Sequence, residues 1–170
     1  LGISVRDDAL DRNNSAATVA VIGGVTGITL IYAASNMGNG PTIWTTLIPA
    51  FVATVTLLII WSLLQAFTQV AEAVTVDRDL ASGIRLAAFL TGSGAILGRA
   101  TAGDWHNWHD TWVDFVKLSW PVLGVFVLAV FNQRFWRPKP SRPVAPILLA
   151  GLAPGVLMLT CALMAWVLFV

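Results

Sequence analysis

The sequence predicts an all-α membrane protein, a polytopic bundle of about five transmembrane helices with a parallel two-helix internal repeat. Three observations carry the prediction. First, 56% of the 170 residues are hydrophobic and 11% are charged, where a soluble domain carries about 25% charged residues. Second, no charged residue lies between Arg12 and Glu72, and none follows Arg142. About 20 apolar residues cross a bilayer core, so uncharged stretches of this length read as spans. Third, the text before and along the third span resembles that of the first at an offset of 65 residues.

Residues 1–15 form a polar N-terminal segment. No signal peptide is visible and the chain does not open on Met, so further residues are expected before Leu1. The first span runs from about Ala16 to Asn36 and ends at the turn "MGNGP", where Gly and Pro break the helix. The second runs from about Ile43 to Val70, with Pro49 near its start, where proline is tolerated or gives a bend. The third, about Leu80 to Ala102, has Arg85 and Arg99 toward its two ends, about 21 Å apart, and both are expected to snorkel outward. The fourth, about Trp112 to Gln133, carries Pro121 as a kink. Residues 134–143 form a basic loop, and an extra fifth helix occupies 144–170. Cys161 has no partner for an internal disulfide and reads as a small buried apolar residue.

Eight of the ten Lys and Arg fall on one side: Arg6, Arg12, Arg78, Arg85, Arg134, Arg137, Lys139 and Arg142. The positive-inside rule makes that side cytoplasmic. The N-terminus is then inside, the C-terminus is outside or periplasmic, and the loop between spans three and four is external. The net charge of +1 gives no reason to expect a nucleic-acid partner.

The repeat comprises residues 16–70 and 71–133. Ala16 matches Ala81, Thr26-Gly27 matches Thr91-Gly92, and Ile31 matches Ile96. A two-span repeat keeps orientation, so the copies are parallel. Asn14 and Asp79 stand where a helix N-cap is needed. Small residues pair at i, i+4 as Gly23/Gly27, Ala88/Gly92 and Gly94/Gly98, a spacing that lets helix backbones approach in lipid. Spans one and three are expected to touch through Gly23, Gly27 and Gly92, and Leu57 on the second span is expected to matter less.

The "NNSAA" of Asn13 to Ala17 before a Gly-rich span, and "DLASGIRLAAFLTGSG" from Asp79, resemble the paired signatures of small bacterial inner-membrane proteins of the domain-of-unknown-function 350 (YjfL-like) family. The resemblance covers roughly Val5 to Ala102. Asp79 stands where Asn is usual, Ser82 where Ala is usual, and Leu1 to Leu10 is too polar to be the span that usually precedes the first signature. The resemblance implies a fold and a bacterial inner-membrane location, and no reaction.

"GDWHNWHDTW" (Gly103 to Trp112) concentrates both histidines and three of the eight tryptophans. His106, His109 and Asp110, with Asp104, are the candidate metal ligands, since imidazole and carboxylate suit zinc or copper. The loop lacks a further ligand of matched spacing, so no metal and no cofactor is expected. Trp105, Trp108 and Trp112 recur at three and four residues, and with Trp136 they read as interface anchors, because the indole ring is apolar and its N–H seeks water. The stretch is expected to lie on the membrane surface as an amphipathic turn, with tryptophans toward lipid and histidines toward water. Asp114 and Lys117 can pair at i, i+3. Asp77 and Asp79 read as loop and cap residues rather than an acid/base pair.

No phosphate loop, nucleophile elbow or HExxH motif is present, so no enzyme is expected. The leading functional class is a non-catalytic packing or assembly element, either a homo-oligomer or an accessory subunit of a larger membrane complex. Its partners would be lipids and other membrane subunits. A small channel or transporter is the alternative, followed by a metal- or cofactor-binding redox module resting on the two histidines.

Overall fold

Asn14 and Asp79 begin the two helices around which the molecule is built. Both have extended backbone, and each side chain accepts bonds from the N–H groups of the first helical turn. The donors to Asn14 are Ala16 and Ala17, and those to Asp79 are Ala81 and Ser82. These bonds satisfy donors that a helix start leaves open. In the computed structural model, which describes residues 2–37, 40, 42–103, 108–137 and 146–168, the caps launch α1 (Ser15–Ser35) and α4 (Leu80–Thr101). Between them lie α2 (Trp44–Thr68) and the short α3 (Val70–Thr75), and α5 (Trp108–Ser119), α6 (Pro121–Trp136) and α7 (Ala153–Leu168) follow. No strand occurs among the described residues.

Five helical stretches are long and apolar enough to span a bilayer: α1, α2, α4, the α5–α6 unit from Thr111 to Trp136, and Leu148–Leu168. The protein is a multi-pass helical membrane bundle. Pro121 interrupts the fourth span at the position where sequence predicted a kink, because it has no N–H for the preceding turn. The second span stops at Gln69, whose left-handed backbone (φ 52°) ends α2 and starts α3.

The third span is the hub. It is the least apolar of the five, yet 72% of its most apolar 18-residue stretch is buried, against 28–33% for the others. Its small residues explain both properties, since they cover little lipid and let neighbours come close. On one side α1 lies parallel to α4, with Ala16 at Gly83, Gly23 at Ala87, Gly27 at Leu90 and Gly94, and Leu30 at Gly98. A Cβ on Gly27 or on Gly83 would sit 2.5 Å from a backbone oxygen of the facing helix. On the other side the fifth span also lies parallel, with Gly151 at Ala81, Gly155 at Ile84 and Ala88, and Gly92 at Met158 and Ala162.

Gly92 therefore faces the fifth span, not the first as expected. The two seams follow one pattern. Ala16, Gly23 and Gly27 of α1 meet Gly83, Ala87, Leu90 and Gly94. Their counterparts 65 residues on, Ala81, Ala88 and Gly92, meet Gly151, Gly155, Met158 and Ala162. The fifth helix, which sequence made an extra appendage, thus completes the burial of α4. Leu57 also departs from expectation: it is 1% exposed, and its Cδ2 would lie 3.7 Å from a Cβ on Gly27, so it seals the α1–α4 seam.

The approaches to α1 and α4 trace the same backbone path at the same offset. Asn13 and Arg78 both have left-handed backbone, with φ of 47° and 52°. Asn14 N–H donates to the Asp8 carbonyl as Asp79 N–H donates to that of Ala73, and Arg12 N–H donates to Asp7 as Asp77 N–H donates to Glu72. A π-helical turn (Val5–Asp11) precedes the first and α3 precedes the second. The approaches also join: buried Asn14 donates its side-chain amide to the Val74 carbonyl at 2.8 Å.

Candidate functional site

Arg85 occupies the second turn of α4 and is completely buried. Sequence placed it near a helix end, free to reach outward. Instead its guanidinium turns inward and every nitrogen finds an oxygen. Nε donates to Gln133 Oε1 of α6 at 3.0 Å, and Nη2 donates to Ser82 Oγ at 2.8 Å. Nη1 donates to the Ala150 carbonyl, and Asp79 Oδ2 lies 3.7 Å from Nη2. Gln133 returns a bond from Nε2 to the Ser82 carbonyl at 3.2 Å.

Each partner has a local cause. The Ala150 carbonyl is available because Pro154, four residues on, has no N–H to complete an α-helical bond, and the chain there winds as a π-helix over Leu148–Leu152. Asp79 is already fixed as the cap of α4, so its charge comes without further ordering. Gln133 is 4% exposed on the inward face of α6. A buried charge is expensive unless paired and fully bonded, and this site meets that condition from three spans. It is a neutral lock: one guanidinium and one carboxylate, with acceptors from α4, α6 and the fifth span. Sequence could have flagged it from two polar side chains, Arg85 and Gln133, within apolar text; the proline that frees the third acceptor was the missing signal.

A second polar cluster holds the same end of the bundle together. Arg134 Nε donates to the Phe67 carbonyl at 3.1 Å, and Arg137 Nη1 donates to Gln69 Oε1 at 2.9 Å. Arg137 Nη2 lies 2.8 Å from Glu72 Oε2. The carbonyls at a helix C-terminus lack intrahelical partners and carry partial negative charge, so Arg134 in the last turn of α6 caps α2, while Arg137, just after α6, ties down the side chains at the α2–α3 junction. Lys139 and Arg142 lie outside the described residues.

The remaining sequence candidates are more scattered. Trp105 and His106 lie outside the described residues, as do Asp104 and Asn107. The stretch does not form a separate surface turn as far as it is described, because Trp108 to Trp112 already belong to α5, which leads into the fourth span. His109 is exposed and shares a groove with Trp112, Val113, Val116 and Lys117. Sequence put histidine and tryptophan on opposite faces; the spacing of 109, 112, 113 and 116 puts them on one. Trp112 stands edge-on to Phe115, with ring centroids 6.2 Å apart. Asp110 is helical and Trp136 is half-buried against Phe135. Among the described residues no group of three or more His, Cys, Asp or Glu is placed to hold a metal. The expected Asp114–Lys117 pair is not formed, and both side chains are exposed. Lys117 turns into the groove that Asp114 does not line.

Compared with protein-family models, with curated proteins and with solved structures, the chain finds no match.

Proposed function

We propose that the protein is a non-catalytic scaffold of a bacterial inner membrane, a rigid packing element that self-associates or serves as an accessory subunit of a larger membrane complex. The observation that carries this reading is the saturation of Arg85. An intramembrane charge is a functional candidate by default, but here each guanidinium nitrogen is used to tie three spans together. The backbone-close glycine seams on both sides of α4 point the same way. With its N-terminus cytoplasmic and its C-terminus periplasmic, the Arg85 lock and the Arg134–Arg137 clasp fall on the cytoplasmic side. The matching approaches at Asn13 and Arg78 support an internal duplication, and the family resemblance at "NNSAA" and "DLASG" fits the same reading. The test is gentle extraction of the full chain followed by mass measurement. Co-purifying membrane subunits or a defined homo-oligomer support the scaffold; a monodisperse monomer without partners overturns it.

A small channel or transporter is the second reading, favoured by one observation. Ser93 Oγ, at the middle of the hub helix, and Trp61 Nε1 are buried without a hydrogen-bond partner. Ion or solute flux in reconstituted vesicles that is lost in Ser93→Ala would support it, and flux unaltered by that change would remove its basis.

A further inference from the structure

We infer that the crevice where the end of α2 packs on the end of α6 is a binding site for an anionic phospholipid, with Arg134 holding the phosphate and Phe131, Val127 and Leu63 bedding an acyl chain. Arg134 is the third residue from the end of the fourth span, and Phe67, whose carbonyl takes its Nε, is the last but one of α2. Both markers set the guanidinium at the bilayer boundary, the depth of a lipid phosphate. The two helices end together here, so residues earlier in each lie deeper in the membrane. Phe131 is about 4.5 Å and Val127 about 10.5 Å further into the hydrocarbon than Arg134, and Leu63 is about 6 Å further in than Phe67. All three are exposed. The charge therefore stands above an apolar bed, in the order a lipid requires, with the headgroup at the boundary and hydrocarbon beneath it.

The charge of Arg134 is the one that the clasp leaves unmatched. Arg137 meets Glu72 at 2.8 Å, and none of the ion pairs formed among the described residues includes Arg134. Two guanidiniums against one carboxylate leave an excess of positive charge at the mouth of the crevice. Nε is committed to the Phe67 carbonyl at 3.1 Å, which orients the group, and Nη1 and Nη2 make no further bond among the described residues. A guanidinium held in this way offers a planar fork to two phosphate oxygens, and a charge at the edge of a span calls for a counter-ion. A lipid with net negative charge at its head supplies one, and a zwitterionic lipid does not.

The crevice is also built rather than incidental. Val127, Phe131 and Arg134 fall four and three residues apart, so they form one stripe of α6. Phe126 closes the line between the helices from the inner side: it stands edge-on to Phe67, with ring centroids 6.3 Å apart, and tilted against Phe89 of the hub at 6.5 Å.

The experiment uses the full chain in mild detergent, with phosphatidylglycerol or phosphatidylcholine added and bound lipid counted by native mass spectrometry. Phosphatidylglycerol is expected to be retained in preference to phosphatidylcholine. Arg134→Gln should weaken its retention about fivefold, the worth of one basic residue near an anionic surface. Lys117→Gln, which removes an exposed cation toward the other end of the same span, should leave retention unchanged. Phe131→Ser, at an exposed position of the bed, should lower retention with Arg134 intact and provides a second reading should Arg134→Gln loosen the end of α2. Equal retention of the two lipids, unchanged retention in Arg134→Gln, an equal loss in Lys117→Gln, or full displacement of phosphatidylglycerol by inorganic phosphate would each overturn the proposal, the last by showing an anion site with no use for the lipid chain.

Discussion

Gly27 and Gly94 touch backbone to backbone across the α1–α4 seam, and a side chain on either one would overlap the other helix. In lipid, where apolar surface gains little by leaving one hydrocarbon for another, contact of this kind is a main source of helix association. Gly27→Leu should therefore open the seam and lower the melting temperature in detergent sharply. Leu57→Ala should also destabilise, by about 2–4 kcal/mol, because Leu57 is sealed into the same seam. Leu58→Ala, on the exposed face of the same helix, should be close to neutral. Thermal unfolding of the three variants checks the order, and a neutral Gly27→Leu would refute the seam.

The second seam can be trapped covalently. A Cβ on Gly155 would lie 3.5 Å from the Ala88 Cβ, within the range a disulfide needs. In a Cys161→Ser background, the pair Ala88→Cys and Gly155→Cys should cross-link on mild oxidation, read as protection of both thiols from alkylation in the intact mass. Gly124→Cys paired with Ala88→Cys should not, since Gly124 has no neighbour within 4 Å.

What the sequence made legible was local. Span number, the caps Asn14 and Asp79, and the break at Pro121 each depend on a short stretch of text. Which helix meets which depends on faces, and there the reading failed in instructive places. Gly92 and Gly27 hold matching positions in matching text, yet α4 carries a close seam on each of two sides, and Gly92 serves the one with the fifth span. Arg85 could not be placed because its acceptors come from Gln133, 48 residues away, and from Ala150, 65 residues away. Nor could local spacing tell that Lys117 would leave Asp114 for a groove.

Removing Arg85 leaves buried acceptors without donors. Arg85→Met should cost about 3–5 kcal/mol, the range for breaking a buried pair, and should loosen α6 and the fifth span together. Changing Arg85 and Gln133 jointly to Met and Leu should recover part of the loss, since an apolar replacement of the whole cluster leaves fewer unpaired groups. A double-mutant cycle read by chemical denaturation measures the coupling; strict additivity would mean that Gln133 plays no part in the lock.

The Arg137–Glu72 pair is weaker in principle, because both side chains are partly exposed, at 32% and 54%. Exposed ion pairs contribute about 0–1 kcal/mol. Glu72→Gln should thus shift stability by less than about 1 kcal/mol, with the shift shrinking further at high salt as screening grows. A large, salt-insensitive loss would show that the clasp at the α2 terminus matters more than its exposure implies.

The proposed orientation, N-terminus cytoplasmic, rests on the charge count and is tested with residues that the fold places at opposite ends of α4. Arg78 is exposed just before α4 begins, and His109 is exposed near the start of α5, after α4 has crossed. In a Cys161→Ser background, Arg78→Cys should react with an impermeant thiol reagent only after the cells are opened, and His109→Cys should react from outside in intact cells. Neither change touches the seams or the Arg85 lock, so both variants should fold normally. Labelling of both positions from one side would contradict a single crossing by α4. Labelling with the sides exchanged would keep the five spans and reverse the orientation, leaving the Arg85 lock and the basic clasp at the external end, against the bias of basic residues toward the cytoplasm.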